Sequence, residues 1–240
     1  MRLVTMESLC NLKRLHFRTL EKDLEMKGQK QLLDLQGSVD VSPPAVERRW
    51  LEAAGRDRNF LSKITGFSRL DKESLGFDQL GRRLAVDFRV QRLKILNDGV
   101  WEPLDHPVLE MLTLLYLGKV DDAHPIGKDI VSCRDLKESH FFTGIHAFDL
   151  APLTERYGSA PGDFAEAAGR LGGSPLSMAD TAYRLMPFPR LPLYYLLWYG
   201  DDEFEPRISV LFDRSIEKVF QADAVWALVN MTSMELLKAG

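Results

Sequence analysis

The densest group of reactive side chains is Asp201, Asp202, Glu203 and Glu205, four carboxylates within five positions. Charges this close repel one another unless water, a cation or basic side chains relieve the repulsion. Oxygen ligands of this type hold Mg²⁺ or Ca²⁺, although the order here is not that of a calcium loop, which alternates its carboxylates about a central glycine. A guanidinium, Arg190 or Arg207, can pair with one of the acids instead. Otherwise the run is a hairpin tip kept in water by its charge, or a docking point for a partner. A second group is Cys133, His140 and His146, a thiolate and two imidazoles that bind Zn²⁺ when an acid such as Asp135 completes the set. Their spacing, Cys-x6-His-x5-His, follows no common zinc template. A buried thiol with core or surface histidines is therefore the simpler expectation, and no metal is expected there.

Cys133 with a histidine is also the raw material of a nucleophile–base pair. No Gly-x-Ser-x-Gly, Gly-x-Gly-x-x-Gly, phosphate-loop or His-Glu-x-x-His pattern accompanies it. Nothing in the sequence demands a cofactor. The aromatic concentration Tyr194, Tyr195, Trp198, Tyr199 and Phe204 adjoins the acidic run. On a strand, Tyr195 and Tyr199 share one face and Tyr194 and Trp198 the other. Both faces covered would make these rings core. One face open to a cavity would make an aromatic wall, completed by Phe141, Phe142 and Trp101. The candidate binding residues are thus Asp201, Asp202, Glu203, Glu205, Trp198 and Arg190.

These groups need elements to position them. Leu193–Tyr199 has the continuous apolar character of a buried strand, and Arg207–Phe212 that of its antiparallel partner, so residues 200–206 form the loop between them. Ala179–Met186 is expected to be extended, with Pro187, Pro189 and Pro192 spacing out a rigid connection. Alternation at Leu84, Val86 and Phe88 predicts a strand, a pattern that Leu93 and Ile95 continue after a short break. Asn97-Asp98-Gly99 then turns the chain back at Val100 and Trp101.

Helices are expected at Pro43–Ala54, started by Ser42 and ended by Gly55, and after Asp105 along Val108, Leu109, Leu112, Leu115 and Tyr116 as far as Gly118. Others are expected near Ala151–Tyr157, Pro161–Leu171 and Ala222–Leu237. Apolar groups at Val4, Leu9, Leu12, Leu15, Leu20 and Leu24 predict helix in residues 1–36, weakened at Gly28, with an apolar stripe near Cys10. That stripe packs on the domain or serves a partner or a second copy.

Hairpins and helices do not alternate regularly, which favours α+β: antiparallel hairpins packed by several helices, with a helical N-terminal extension. The expected division is a helical extension, 1–75, and an α+β domain, 76–240. The composition of the 240 residues, 45% hydrophobic and 28% charged, is that of a globular chain. Thirty-one basic against 35 acidic residues give a net charge of −4, so no basic excess suggests nucleic acid. Two cysteines, Cys10 and Cys133, make no disulfide framework and suit a reducing compartment. The longest apolar run, Leu191–Tyr199, is too short for a membrane span, and the start lacks a signal-peptide pattern. A soluble cytoplasmic protein is expected.

From about Leu112 onward the chain resembles the family known as domain of unknown function 3786. The segments that carry this are Leu112-Thr-Leu-Leu-Tyr-Leu-Gly118, Ser132-Cys-Arg-Asp-Leu136, Leu171-Gly-Gly173 and Pro189-Arg-Leu-Pro-Leu193. Leu197-Trp-Tyr-Gly-Asp-Asp-Glu-Phe204 and Val210-Leu-Phe-Asp213 complete the pattern, with the hairpin near residues 82–101 as its lead-in. The resemblance implies a fold shared with proteins of anaerobic bacteria and archaea that have no established activity. Some longer members carry a cysteine-rich, iron–sulfur-type segment, which two cysteines cannot reproduce. The family pattern places an aromatic where Cys133 stands, which argues against a shared cysteine nucleophile.

Together these features lead to a non-catalytic binding or accessory protein, serving redox or metal-cofactor proteins of an anaerobe, with residues 1–36 as one contact for a partner or for self-association. The alternative is a metal-assisted hydrolase or acid–base enzyme using loop 201–205 with a histidine such as His140.

Overall fold

The computed structural model describes residues 39–120 and 129–240. The stripe of residues 1–36, with Cys10, lies outside the described residues. Helix α1 (Pro43–Ala54) starts where Pro43 and Pro44 preset the first turn, and it buries Ala45, Trp50 and Ala53. Ser42 occupies the cap position without a side-chain bond; its amide instead donates to Asp40 Oδ1 at 3.0 Å. Helix α2 (Arg58–Thr65) escaped the sequence pattern. Asp57 caps it, accepting from the Phe60 amide at 2.8 Å, and Gly66 closes it at a φ of 77°.

Five antiparallel strands follow in chain order: β1 (Ser68–Arg69), β2 (Ser74–Gln79), β3 (Arg82–Asp87), β4 (Arg92–Asn97) and β5 (Val100–Pro103). The alternation at Leu84, Val86 and Phe88 and its continuation at Leu93 and Ile95 lie on two paired strands, with the expected break between them as the turn. Asp87 turns the chain between them, its Oδ1 accepting from the Arg89 and Val90 amides. The expected turn at Asp98-Gly99 joins β4 to β5, with φ values of 47° and 81°. The boundary expected between residues 75 and 76 falls inside β2.

Helix α3 (Pro107–Lys119) crosses the centre of the molecule. It buries Val108, Leu109, Met111, Leu112, Thr113, Leu114, Tyr116 and Leu117, so it is apolar around most of its circumference rather than along one stripe. His106, not Asp105, is its cap. Gly118 lies within the helix, which ends at Lys119.

The second sheet has the order β6 (Ile130–Val131), β10 (Arg207–Asp213), β9 (Leu191–Trp198), β8 (Thr181–Phe188), β7 (Ser174–Leu176), again antiparallel throughout. The prolines do not space out a separate connection. Pro187 lies in β8 where the register with β9 slips, a position that needs no ladder donor, and Pro192 lies within β9. Helices α4 (Ala151–Tyr157), α5 (Pro161–Arg170) and α6 (Ala222–Ala239) complete the α+β arrangement.

The main apolar core runs from Val39 to Leu236, and a small second cluster holds Ala182, Tyr194 and Leu196. At its centre four rings tie the two sheets together. Phe67 stacks on Phe77 of β2 at 4.2 Å, and Tyr116 of α3 stacks on Phe188 of β8 at 4.8 Å. Phe67–Tyr116 and Phe77–Phe188 contacts at 5.5 and 5.9 Å close the group. Among the described residues no helix is long and apolar enough to cross a membrane.

Candidate functional site

Residues 199–206 leave β9 and return in β10, whose pairing opens at Trp198 opposite Arg207. The tip is ordered from within. Asp201 Oδ1 accepts from the Glu203 and Phe204 amides at 2.8 and 2.7 Å, and the Asp201 amide donates to the Phe204 carbonyl at 2.9 Å. Asp201 is thereby spent on the turn. Gly200 is needed because a Cβ there would meet Pro206 Cδ at 2.7 Å. At the base, the Arg207 guanidinium lies 4.5 Å over the Trp198 ring, and the Tyr199 amide donates to Asp180 Oδ2 at 2.9 Å. Phe204 stands out at 69% exposure and Tyr199 at 41%. Asp202, Glu203 and Glu205 are exposed and have no ion-pair partner among the described residues.

Other predicted members sit elsewhere. Arg190 precedes β9, a strand's length of about 23 Å from the tip. Its Nη1 donates to the Ile64 carbonyl at 2.7 Å, capping α2, so it cannot neutralise the tip acids. Tyr194 and Trp198 share a face, as expected, in a small cluster with Ala182 and Leu196, but the other rings do not join them in a wall. Tyr195 is buried against α6, its hydroxyl 3.1 Å from the Val229 carbonyl and 2.9 Å from Ser233 Oγ. Burial raises the pKa of that phenol well above its usual value. Tyr199 lies beyond the end of β9, its hydroxyl donating to the Asp180 carbonyl at 3.3 Å. Trp101 belongs to the other sheet, Phe141 stacks on His146 at 4.3 Å, and Phe142 meets Phe148 at 5.1 Å.

Cys133 lies half-buried in a one-turn 3-10 helix, and burial pushes its thiol pKa up, away from the thiolate a nucleophile needs. Asp135 Oδ2 accepts from the Ser132 hydroxyl at 2.6 Å and its amide at 3.0 Å, which holds the carboxyl below its usual range. His140 is exposed, and His146 lies against Phe141 and edge-on to Trp226 at 6.0 Å. Among the described residues no group of three or more His, Cys, Asp or Glu side chains is placed to hold a metal ion. β6, which leads into Cys133, pairs with the Asp213 end of β10, whereas the tip is at the Arg207 end, about 20 Å away.

Two open clefts flank the 3-10 turn Arg214–Lys218 that leads into α6. The first, about 340 Å³, has Arg48, Met111, Leu115 and Lys119 on its walls. The second, about 230 Å³, has Leu136, Lys137, Phe142 and Val225. Glu217, Phe220 and Gln221 form the wall between them. Their carboxylates are engaged by backbone amides: Asp40 by Ser42 at 3.0 Å, Glu138 by Ala222 at 2.8 Å, Asp223 by Ala224 at 2.7 Å, and Glu217 by Lys137. Arg48, Lys119 and Lys137 are exposed and have no ion-pair partner among the described residues. Sequence reasoning missed these clefts because their walls come from positions 39 to 225, with no local pattern to mark them.

The profile of a family described as Domain of unknown function (DUF3786) matches residues 62–235. The match includes the acidic tip and leaves Asp40 and Arg48 outside it. No curated protein and no solved structure gives a significant match.

Proposed function

The chain belongs to the DUF3786 family, and from that premise we propose that it is a non-catalytic binding or accessory protein of the cytoplasm whose 199–207 tip docks on a protein partner. The partner class suggested by the family resemblance is a redox or metal-cofactor protein of an anaerobe. The observation that carries this reading is Phe204, an aromatic side chain at 69% exposure on a turn ordered by Asp201. An exposed benzyl group gains from burial only when something covers it. Because the turn is already ordered, docking costs less conformational entropy. Trp198, Tyr199 and Arg207 beside it are the residue types enriched in binding hot spots, and the three exposed carboxylates, without an ion-pair partner among the described residues, steer encounter with a basic rim. The enzyme alternative needs the tip acids beside His140, and the separation along β10 does not favour it.

The test compares full-length wild type with Phe204→Ser and with Asp202→Asn/Glu203→Gln, purified without oxygen or chelator. Metal content, absorption spectrum and capture of partners from the source cells are measured for each. Wild type is expected to retain a stoichiometric partner. Phe204→Ser should weaken that retention by about tenfold or more, and added salt should weaken it in all three proteins. Equal capture by wild type and Phe204→Ser would sink the docking reading. Stoichiometric metal lost in Asp202→Asn/Glu203→Gln would move the assignment to the metal-assisted enzyme.

A further inference from the structure

We infer that the two clefts beside α6 seat residues 1–36 of the same chain, with residues 8–20 over the second cleft and the stretch that follows them crossing the first. The occupant is this chain's own N-terminal segment, and its seat is independent of where the 199–207 tip docks.

Connectivity points there first. Val39, where the described chain begins, is only 4% exposed and lines the first cleft together with Asp40. The preceding chain therefore joins the fold at the wall of that cleft. The second cleft adjoins it across Glu217, Phe220 and Gln221. Residues 21–38 reach about 27 Å even at the compact rise of a helix, enough to cross the first cleft and place Leu20 at the second. Being tethered, the segment meets both clefts at an effective concentration on the order of millimolar, which favours it over any free competitor of equal affinity.

The chemistry of the two surfaces agrees with that path. Leu9, Leu12, Leu15 and Leu20 need an apolar cover, and the second cleft offers Leu136, Phe142, Phe220 and Val225. Its charged lining is Glu138 and Glu217 against the single Lys137. Backbone amides of Ala222 and Lys137 bond those two carboxylates without neutralising them, so this cleft is acidic. Residues 8–20 contain Lys13, Arg14 and Arg18 and no acid, the complementary sign. The first cleft reverses the balance: Arg48, Arg49, Lys119 and Lys218 outnumber Asp40, Glu217 and Asp223. The stretch that must cross it reverses too, because Glu21, Asp23, Glu25 and Asp34 outnumber Lys22, Lys27 and Lys30 between residues 21 and 38. Charge thus fixes the direction in which the segment lies as well as its identity.

Two measurements on the full-length protein test this. Hydrogen exchange compares wild type with Leu12→Asp/Leu15→Asp. The double variant is expected to exchange at least about tenfold faster at residues 136–142 and 217–225, while residues 74–97 exchange as in wild type and show that the fold is kept. Equal exchange at the clefts would overturn the seat. The second measurement leaves those leucines in place. In Cys133→Ser, Cys10 is the one remaining thiol. Adding Lys137→Cys at the second cleft should let a short bis-maleimide link position 137 to Cys10 within one chain. That crosslinked monomer should form at least about tenfold faster than with Glu203→Cys at the distant tip. Equal rates at the two positions would overturn the proposal. So would crosslinked dimers in place of monomers, which would put the segment of a second copy in the clefts.

Discussion

His106 Nδ1 accepts the Leu109 amide at 3.2 Å, so the neutral ring carries its proton on Nε2 while it caps α3. Burial lowers its pKa from 6.5. Glu235 of α6 opposes that shift, and Arg82 of β3 with Lys238 of α6 adds to it. Protonation would turn the accepting nitrogen into a donor and place a cation at the positive end of the helix. The sign follows from the lowered value. Below pH 6.5 the unfolded chain takes up a proton that the folded chain refuses, so this contribution to stability is present above pH 6.5 and is lost as pH falls. Replacing His106 with Asn keeps a capping acceptor and removes the titration. Urea denaturation at pH 7, 6 and 5 is expected to show wild type losing stability relative to His106→Asn, by at most about 1.4 kcal/mol per pH unit. Glu110, whose carboxyl burial raises, is present in both proteins and cancels. Parallel pH profiles would remove His106 from this role.

Two hairpin turns show why one element was legible and its twin was not. Asp98-Gly99 and Leu80-Gly81 both take two successive positive φ values, 47° and 81° in the first and 48° and 78° in the second. Asp and Gly tolerate that conformation and so mark the first turn in sequence. Leucine does not; Leu80 adopts it because its side chain is 97% buried in the core, and tertiary burial offsets the local strain. The glycines differ in surroundings too. A Cβ on Gly81 would lie 2.5 Å from the Arg170 carbonyl oxygen, whereas one on Gly99 meets nothing within 4 Å. Gly99→Ala should therefore cost only the backbone term, about 1 kcal/mol, and Gly81→Ala about 2 kcal/mol or more because α5 must move as well. Chemical denaturation of the two variants measures the difference, and equal losses would refute the close approach of β2–β3 to α5.

The whole molecule depends on the ring group that joins Phe67 and Phe77 to Tyr116 and Phe188, since it bridges the two sheets through the central helix. The Tyr116 hydroxyl adds a bond to the Thr65 carbonyl at 2.8 Å. Phe188 is fully buried, so Phe188→Ala should cost about 3–5 kcal/mol. Because the core is shared, the loss should appear as one transition. Tryptophan fluorescence, to which Trp50 contributes from beside α3 with its indole NH 3.0 Å from Glu110, should follow the same midpoint as far-UV circular dichroism. Separate midpoints would show that the two sheets unfold independently.

By itself the sequence determined what is local along the chain. Ser42-Pro43-Pro44 announced α1, Asn97-Asp98-Gly99 its turn, the bounds of α4 were readable, and the acidic run declared itself a loop between two strands. Period and turn chemistry depend on neighbours a few residues away, so they survive without a fold. Only the tertiary structure decided the rest. It buried α3 on nearly all sides, sent Arg190 to cap α2 instead of facing the acids, and separated Cys133 from the tip by the length of β10. It also drew Arg48, Lys119 and Lys137 around one pair of clefts. Those placements follow from burying one shared apolar core, which brings together residues that no spacing rule connects.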